Sequence, residues 1–293
     1  MIIMKEGENV YTKNEIIDKK VLNEQVTLLK VYAPLIARKA QPGQFIIFRV
    51  NETGERIPLT IADFDREEGS VTIIFQKVGK STYELGELNV GDILLDFAGP
   101  LGKASELEGY KKVAVVAGGL GTAIAYPQAK KLKELGTVVH MICGFRNKDI
   151  IVLEEECRAI AEECVVATDD GSNGKKGFVT DALREMIEDG NEYDLVIAIG
   201  PLPMMKFVSL LTKEYNIKTI VSMNPVMIDG TGMCGGCRIT VGGETKFACV
   251  DGPDFDGHLV DFDQAIRRQL NYKNHEAEAL KKHLCRMEGM KNA

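Results

Sequence analysis

Lys112-Val-Ala-Val-Val-Ala117-Gly118-Gly119-Leu120-Gly121-Thr122-Ala123 decides how this chain of 293 residues is built. An apolar, β-branched run ends in three glycines and passes straight into a helix-forming sequence. Because the run lacks polar alternation, it reads as a strand covered on both faces, as in a parallel sheet. Downstream, residues 138–143, 164–168, 195–200 and 219–223 repeat the apolar run. Helical patterns at 123–135, 153–163, 180–189 and 203–215 separate them. Such strand–helix alternation predicts a parallel sheet with helices on both faces.

Before residue 100 the rhythm is different. Residues 26–32, 44–50, 57–62, 70–76 and 92–97 are rich in β-branched and aromatic side chains, and Pro42-Gly43, Thr53-Gly54, Glu67-Glu-Gly69 and Val90-Gly91 punctuate them. Short strands at turn spacing predict an antiparallel β-barrel or sandwich. The fold class is therefore all-β plus α/β, which suits a length that favours two cores over one. The expected boundaries are 1–102 for the β domain and 103–224 for the α/β domain. A cysteine-bearing segment follows at 225–260, then a polar helical tail at 261–293.

A net charge of −7 argues against a nucleic-acid or anionic-membrane partner, since both require a positive field. No apolar run approaches the roughly 18 residues of a membrane span, and residues 1–10 lack the apolar core of a secretory leader. Seven cysteines, odd in number and unevenly placed, do not form a disulfide framework, so a reducing cytoplasm is expected. Cys143, Cys157 and Cys164 lie in or beside apolar runs and read as small core residues. Cys285 lies in the tail and is assigned no role.

The glycine loop stands where parallel sheets hold dinucleotides. Glycines let the backbone approach a pyrophosphate, and the following helix offers free N–H groups and a positive dipole end. Gly118, Gly119, Leu120, Gly121 and Thr122 are thus candidate NAD contacts, although the motif departs from a strict G-x-G-x-x-G and such turns also serve packing alone. Two other strand ends join them: Asp169-Asp170-Gly171 and Gly200-Pro201. Asp170 could accept from a ribose hydroxyl and repel a 2′-phosphate, favouring NAD over NADP. It could equally close an ordinary Asx turn, and Lys175 and Lys176 stand close by.

The third feature is Asp229-Gly-Thr-Gly-Met-Cys234-Gly-Gly-Cys237, with eleven residues between Cys237 and Cys249. Three thiols and a carboxylate in a glycine-rich loop suit a 2Fe–2S cluster, which four protein ligands hold. A carboxylate in the first place is harder than a thiolate and should alter the reduction potential. Structural zinc remains open on this spacing, as do a redox dithiol and free thiols.

Taken in this order, β domain, nucleotide domain and cysteine loop, the chain resembles the ferredoxin–NADP reductase superfamily over about residues 1–280. Within it, the chain is similar to two kinds of subunit. One is the electron-transfer subunit of dihydroorotate dehydrogenase. The other is the small (alpha) subunit of NADH-dependent reduced ferredoxin:NADP oxidoreductase, also called a sulfide dehydrogenase subunit. The resemblance implies an FAD-binding barrel in which Arg56-Ile57-Pro58-Leu59-Thr60 matches the family's Arg-x-[Pro/Tyr]-x-[Ser/Thr] motif. Arg56 would pair with the flavin pyrophosphate, Pro58 and Leu59 would line the cofactor, and Thr60 would place its hydroxyl near flavin N5. Gly79-Lys80-Ser81-Thr82 matches the element that holds the flavin phosphates, with Gln76 and Val78 beside the ring. Gly99-Pro100-Leu101-Gly102 matches the interdomain turn. The dihydroorotate subunit typically carries cysteine in all four cluster positions. Asp229 in the first position is instead a feature of the other small subunit.

The implied activity is hydride exchange between NAD(H) and FAD, followed by single-electron transfer through the 2Fe–2S cluster. The acceptor would be a larger FAD/4Fe–4S subunit in a cytoplasmic, electron-bifurcating heterodimer that links ferredoxin and NADP(H). Two other readings stand beside it: the dihydroorotate dehydrogenase electron-transfer subunit, and a non-catalytic nucleotide-binding protein with structural zinc. No catalytic acid or base is expected, since His140, His258, His275 and His283 form no acid–base constellation. Residues 262–284 and the loop around Cys249 are the expected partner surface, unless the tail packs on its own chain.

Overall fold

The computed structural model describes residues 11–291, so the reading of residues 1–10 lies outside the described residues. The first half carries β1 (Ile16–Val21), β2 (Val26–Tyr32), a one-turn helix α1 (Pro34–Ala37), β3 (Phe45–Arg49), β4 (Ile57–Asp65), β5 (Ser70–Gln76), α2 (Lys80–Glu87) and β6 (Asp96–Leu101). The strands form one antiparallel sheet in the order β1-β2-β5-β4-β3-β6. Its two edges curl toward each other: Glu15 bridges Ile93, and the Ile16 amide donates to the Asp92 carbonyl at 2.9 Å. Phe48, Phe75, Ile46, Ile73 and Leu29 fill the interior. Each such side chain contributes about 1.5–3 kcal/mol by leaving water.

Two expectations shift here. The run at 92–97 becomes a strand only at Asp96, because residues 92–94 are taken up by the bridge to the start of β1. β1 itself, Ile-Ile-Asp-Lys-Lys-Val, has one buried position and an otherwise wet face, so it gave no apolar signal.

The second half alternates as the sequence predicts. β7 (Lys112–Gly118), α3 (Gly121–Glu134), β8 (Val138–Phe145), α4 (Glu154–Ile160), β9 (Glu163–Thr168), α5 (Val179–Glu188), β10 (Leu195–Ile199), α6 (Leu202–Glu214) and β11 (Thr219–Ser222) follow in turn. α4 stops at Ile160, short of the expected 163, because Glu163 already pairs with His140 across β8 and β9. The parallel order β11-β10-β7-β8-β9 reverses direction at β7. Between β7 and β10 a crevice therefore opens at the carboxyl ends of the strands. α3 packs back on β4 of the first sheet, where Lys130 Nζ meets Asp63 at 3.2 Å.

The last segment holds a hairpin, β12 (Arg238–Val241) with β13 (Glu244–Phe247), then β14 (Asp254–Asp256), α7 (Phe262–Leu270) and α8 (Lys273–Lys291). β14 adds to β11 as an antiparallel edge strand and splices the cysteine segment into the parallel sheet. α7 buries Phe262 and Ala265 against the body of the chain, and α8 lies beside α2 with His283 Nδ1 3.8 Å from Glu84. At both places the tail packs on its own chain.

Asp254 sits where these parts meet. Its carboxyl accepts from the Ser105 hydroxyl at 2.5 Å, and its Oδ1 is buried without a partner. Burial pushes its pKa above the ordinary carboxylate value. A raised folded pKa means a contribution to stability that is complete below the unfolded value. That contribution is lost as pH rises through the folded value. Asp254→Asn keeps the acceptor for Ser105 and removes the ionisation, so it escapes the cost of a charge buried at high pH. The variant should therefore melt a few degrees above the wild-type chain at pH 8 and lose that advantage at pH 4. Parallel pH profiles of Tm would show the Asp254 assignment to be wrong.

Candidate functional site

The crevice between β7 and β10 is built from two backbones that cannot carry side chains. A methyl group on Gly121 would lie 2.2 Å from the Ile199 carbonyl oxygen, so only glycine lets α3 start against the end of β10. Gly119 has φ +56 and turns the chain out of β7 into the helix. Across the slot, a methyl on Gly200 would fall 3.1 Å from the Gly118 backbone, with Met204 closing the side. α3 has no side-chain cap, and the Leu120 and Gly121 amides make no hydrogen bond among the described residues. The Thr122 hydroxyl is buried without a partner at the same helix start. Free donors, a helix N-terminus and an empty backbone slot together suit a phosphate group.

Asp169 and Asp170 follow β9, two strands from β7. Asp170 Oδ1 accepts from the Ser172 amide at 2.9 Å, the Asx turn foreseen as its alternative role. Bonding to Ser172 holds the exposed carboxyl below its ordinary pKa, so it stays an anion. Gly171 turns the loop with φ +77. Sequence reasoning passed over Arg146, which stands exposed just past the end of β8 and whose carbonyl accepts from the Asp170 amide. The only available signal was its place directly after the apolar run.

On the first sheet, β4 carries Arg56's neighbours toward the second domain. Pro58, Leu59 and Thr60 pair with Ile47, Ile46 and Phe45 of β3 and are half-buried, with Leu59 packed on the interior of the first sheet. Thr60's hydroxyl makes no hydrogen bond among the described residues. At the start of α2, the Thr82 hydroxyl turns inward and accepts from the Val78 and Gly79 amides at 3.0 Å each. Ser81 donates to Glu55 at 3.2 Å, Lys80 pairs with Glu84 at 3.6 Å, and Gln76 bonds to Gln25. The Lys80 and Ser81 amides are the donors left free there among the described residues. Within this group, backbone more than hydroxyl is presented to an anion.

The cysteine loop lies against β3 and β6: a methyl on Gly230 would fall 2.7 Å from Leu101 and 3.0 Å from Ile47. Cys237 and Cys249 are brought side by side, their sulfurs 3.2 Å apart and buried. Burial, then the Cys237 thiol, pushes the Cys249 thiol up to about 12. Cys234 is exposed and its sulfur accepts from the Gly236 amide at 3.4 Å. Asp229 is turned into its own loop: Oδ1 accepts from Thr231 N at 2.9 Å and Oδ2 from Cys234 N at 2.7 Å. These amides, Thr231's foremost, hold its carboxyl below the ordinary range. Among the described residues no three His, Cys, Asp or Glu side chains already converge on one metal position. The donor set nonetheless fits a cluster in its chemistry, with two adjacent buried thiols, a third at the rim, and a carboxylate held as an anion at the head of the loop.

Three guanidiniums brace this loop: Arg56, singled out in the sequence for the flavin, and Arg238 and Arg268, which sequence reasoning missed. Arg56 Nε donates to Ile228 O at 2.8 Å, Arg238 to Gly235 O at 3.0 Å and Arg268 of α7 to Gly236 O at 3.2 Å. His140 instead bonds Tyr193 in the core, and His258 bonds Thr212.

Comparisons with known proteins agree with this layout. Residues 224–261 match the iron-sulfur cluster binding domain of dihydroorotate dehydrogenase B, and residues 115–210 match an oxidoreductase NAD-binding domain. The chain is 46% identical over 263 residues to a dihydroorotate dehydrogenase B (NAD+) electron transfer subunit homolog of Thermotoga maritima, covering 90% of this chain and 93% of that one. It is 34% identical to the dihydroorotate dehydrogenase B electron transfer subunit of Bacillus caldolyticus, with 81% and 93% covered. A chain in the solved structure of an NADH-dependent reduced ferredoxin-NADP oxidoreductase superposes with TM-score 0.89 at 43% identity, over 94% of this chain and all of that one.

Proposed function

This chain belongs to the family of dihydroorotate dehydrogenase B electron-transfer subunits and their homologues, and on that premise we propose that it exchanges hydride between NAD(H) and FAD. Single electrons then pass through a 2Fe–2S cluster to a larger partner subunit. The observation that carries the reading is Asp229 at the head of the Cys234, Cys237, Cys249 loop, packed against the β3–β6 face that adjoins the flavin motif. The structural likeness to the bifurcating oxidoreductase chain supports it.

Each group has a task that its placement allows. The α3 N-terminus and the Gly118–Gly200 slot would hold the pyrophosphate of NAD(H) and admit the nicotinamide arm to the crevice. Arg56, through its rigid fork, and the free amides at Lys80 and Ser81 would neutralise the flavin phosphates. Thr60 would present its hydroxyl to the edge of the ring. Cys234, Cys237, Cys249 and Asp229 would hold the cluster. The flavin supplies the conversion of a two-electron hydride into single electrons. With no acid or base needed, the protein's work is orientation and exclusion of water.

An anaerobic absorption spectrum of the purified chain tests this. Flavin bands over broad iron–sulfur absorption should bleach on adding NADH. A colourless chain with stoichiometric zinc would end the reading. Asp229→Cys should move the cluster's spectrum and reduction potential; no movement would remove Asp229 from the ligand set.

A second reading, the dihydroorotate dehydrogenase electron-transfer subunit, is favoured by the curated relatives and by the match at residues 224–261. Asp229 in place of a cysteine speaks against it. Co-purification with an FMN-containing barrel subunit would establish it, whereas an FAD/4Fe–4S partner would favour the first.

A further inference from the structure

Arg56 is held from both sides. On the first sheet its Nη1 lies 3.6 Å from Asp96 of β6, which is itself fixed by Arg49 of β3 at 2.7 Å. On the other side its Nε donates to the carbonyl of Ile228, the residue directly before Asp229. The rest of the guanidinium makes no hydrogen bond among the described residues. A planar five-donor fork can serve two acceptors along different edges, which a lysine ammonium cannot do with fixed geometry.

We propose that Arg56 is a shared anchor: one edge of its guanidinium positions the cluster loop through the Ile228 carbonyl, while the other faces the flavin pyrophosphate. Retention of the two cofactors is thereby coupled through one side chain. This rests on the flavin–iron–sulfur reading above and adds to it a positioning residue for the cluster. Arg238 and Arg268 grip the same loop further along, at Gly235 and Gly236, without contact to the flavin strand. Arg56 therefore differs from them in having a partner on β6 as well as one in the loop. Its positive charge next to the head of the loop also favours the more negative, reduced form of a cluster bound there.

The full-length protein with its partner offers a three-way comparison. Lys80→Gln disturbs only the flavin side, Arg268→Gln only the loop, and Arg56→Gln both. Flavin content, iron content and iron loss to a chelator are measured for each. The cluster's EPR spectrum and midpoint potential are then recorded on flavin-stripped samples, including flavin-stripped wild type. Arg56→Gln should lose flavin as Lys80→Gln does. It should also speed chelator-driven iron loss by roughly tenfold, the scale at which outer-shell partners act on a bound metal. Its cluster potential should fall and its EPR spectrum should shift, whereas Lys80→Gln leaves both at the flavin-stripped wild-type values.

If Arg56→Gln matches Lys80→Gln in every cluster measurement, the anchor proposal is overturned while the flavin–iron–sulfur reading survives. If it matches Arg268→Gln and keeps its flavin, the shared role is equally overturned. Wild-type protein without flavin or iron would instead defeat the functional reading itself. Arg56→Lys guards against misfolding: it retains the charge but not the fork, and should recover flavin content without recovering the rate of iron loss.

Discussion

Cys249→Ala should empty the cysteine loop of iron and sulfide while NADH still bleaches the flavin. Cys249 lies buried against Cys237 with no room for solvent to stand in as a ligand. Binding a metal there requires the thiol to give up a proton that burial holds tightly, so the thiolate's bond to iron must supply the driving force. Alanine removes that bond altogether. Since even outer-shell partners cost up to about 100-fold in metal affinity, loss of a buried ligand should exceed that, and electron transfer from NADH to the partner should fall at least as far. Cys143→Ala is the matching control. Cys143 is equally buried but lies in β8, away from the loop, so iron content should not change. A Cys249→Ala variant that kept its iron and its broad absorption would place the cluster elsewhere.

Gly121→Ala should cripple the nucleotide side in the same way. The added methyl group meets the Ile199 carbonyl oxygen at 2.2 Å, and neither partner is a flexible side chain. α3 must move off β10, widening the slot between Gly118 and Gly200. Overpacking of this kind costs about 1–3 kcal/mol of stability. Misplacing a binding element by about 1 Å can cost 10²-fold in rate. The expected result is a folded chain with normal flavin and iron content whose kcat/KM for NADH falls by roughly that factor. Gly109→Ala, which meets nothing within 4 Å but strains a turn at φ +87, separates the clash from a loss of stability elsewhere: it should lower Tm and leave the NADH kinetics normal. Normal NADH kinetics in Gly121→Ala would remove the loop from the nucleotide site.

The parts legible in the sequence were those with a period. β7 and β10 are apolar runs, β8 is broken only by His140, and α3, α5 and α6 fall within two residues of their expected bounds. The glycine loop and the cysteine spacing were equally visible, because chemistry confines them to a few neighbouring positions. What escaped were contacts between residues distant in sequence. Nothing near Arg56 announces that its Nε will reach Ile228, 172 positions away. β14 is three residues long and joins its sheet from the far side of the cysteine hairpin, too short for a pattern. Asp229's engagement with its own amides was hidden for another reason: two glycines and a threonine after an aspartate admit several turns, and only the fold selects one.

The pairing of β14 with β11 also sets an order of events during synthesis. The cysteine loop has no sheet of its own beyond a two-stranded hairpin, which is marginal alone in water. Its apolar supports are Ile47 and Leu101 in the first half and β11 just ahead of it. Those apolar supports leave the ribosome before the loop does, and α7 with its Arg268 follows. The β and α/β halves can thus collapse first, and the cysteine-bearing arm closes onto finished surfaces. Thiols that would scavenge stray metal or oxidise in a half-made chain are the last to be enclosed.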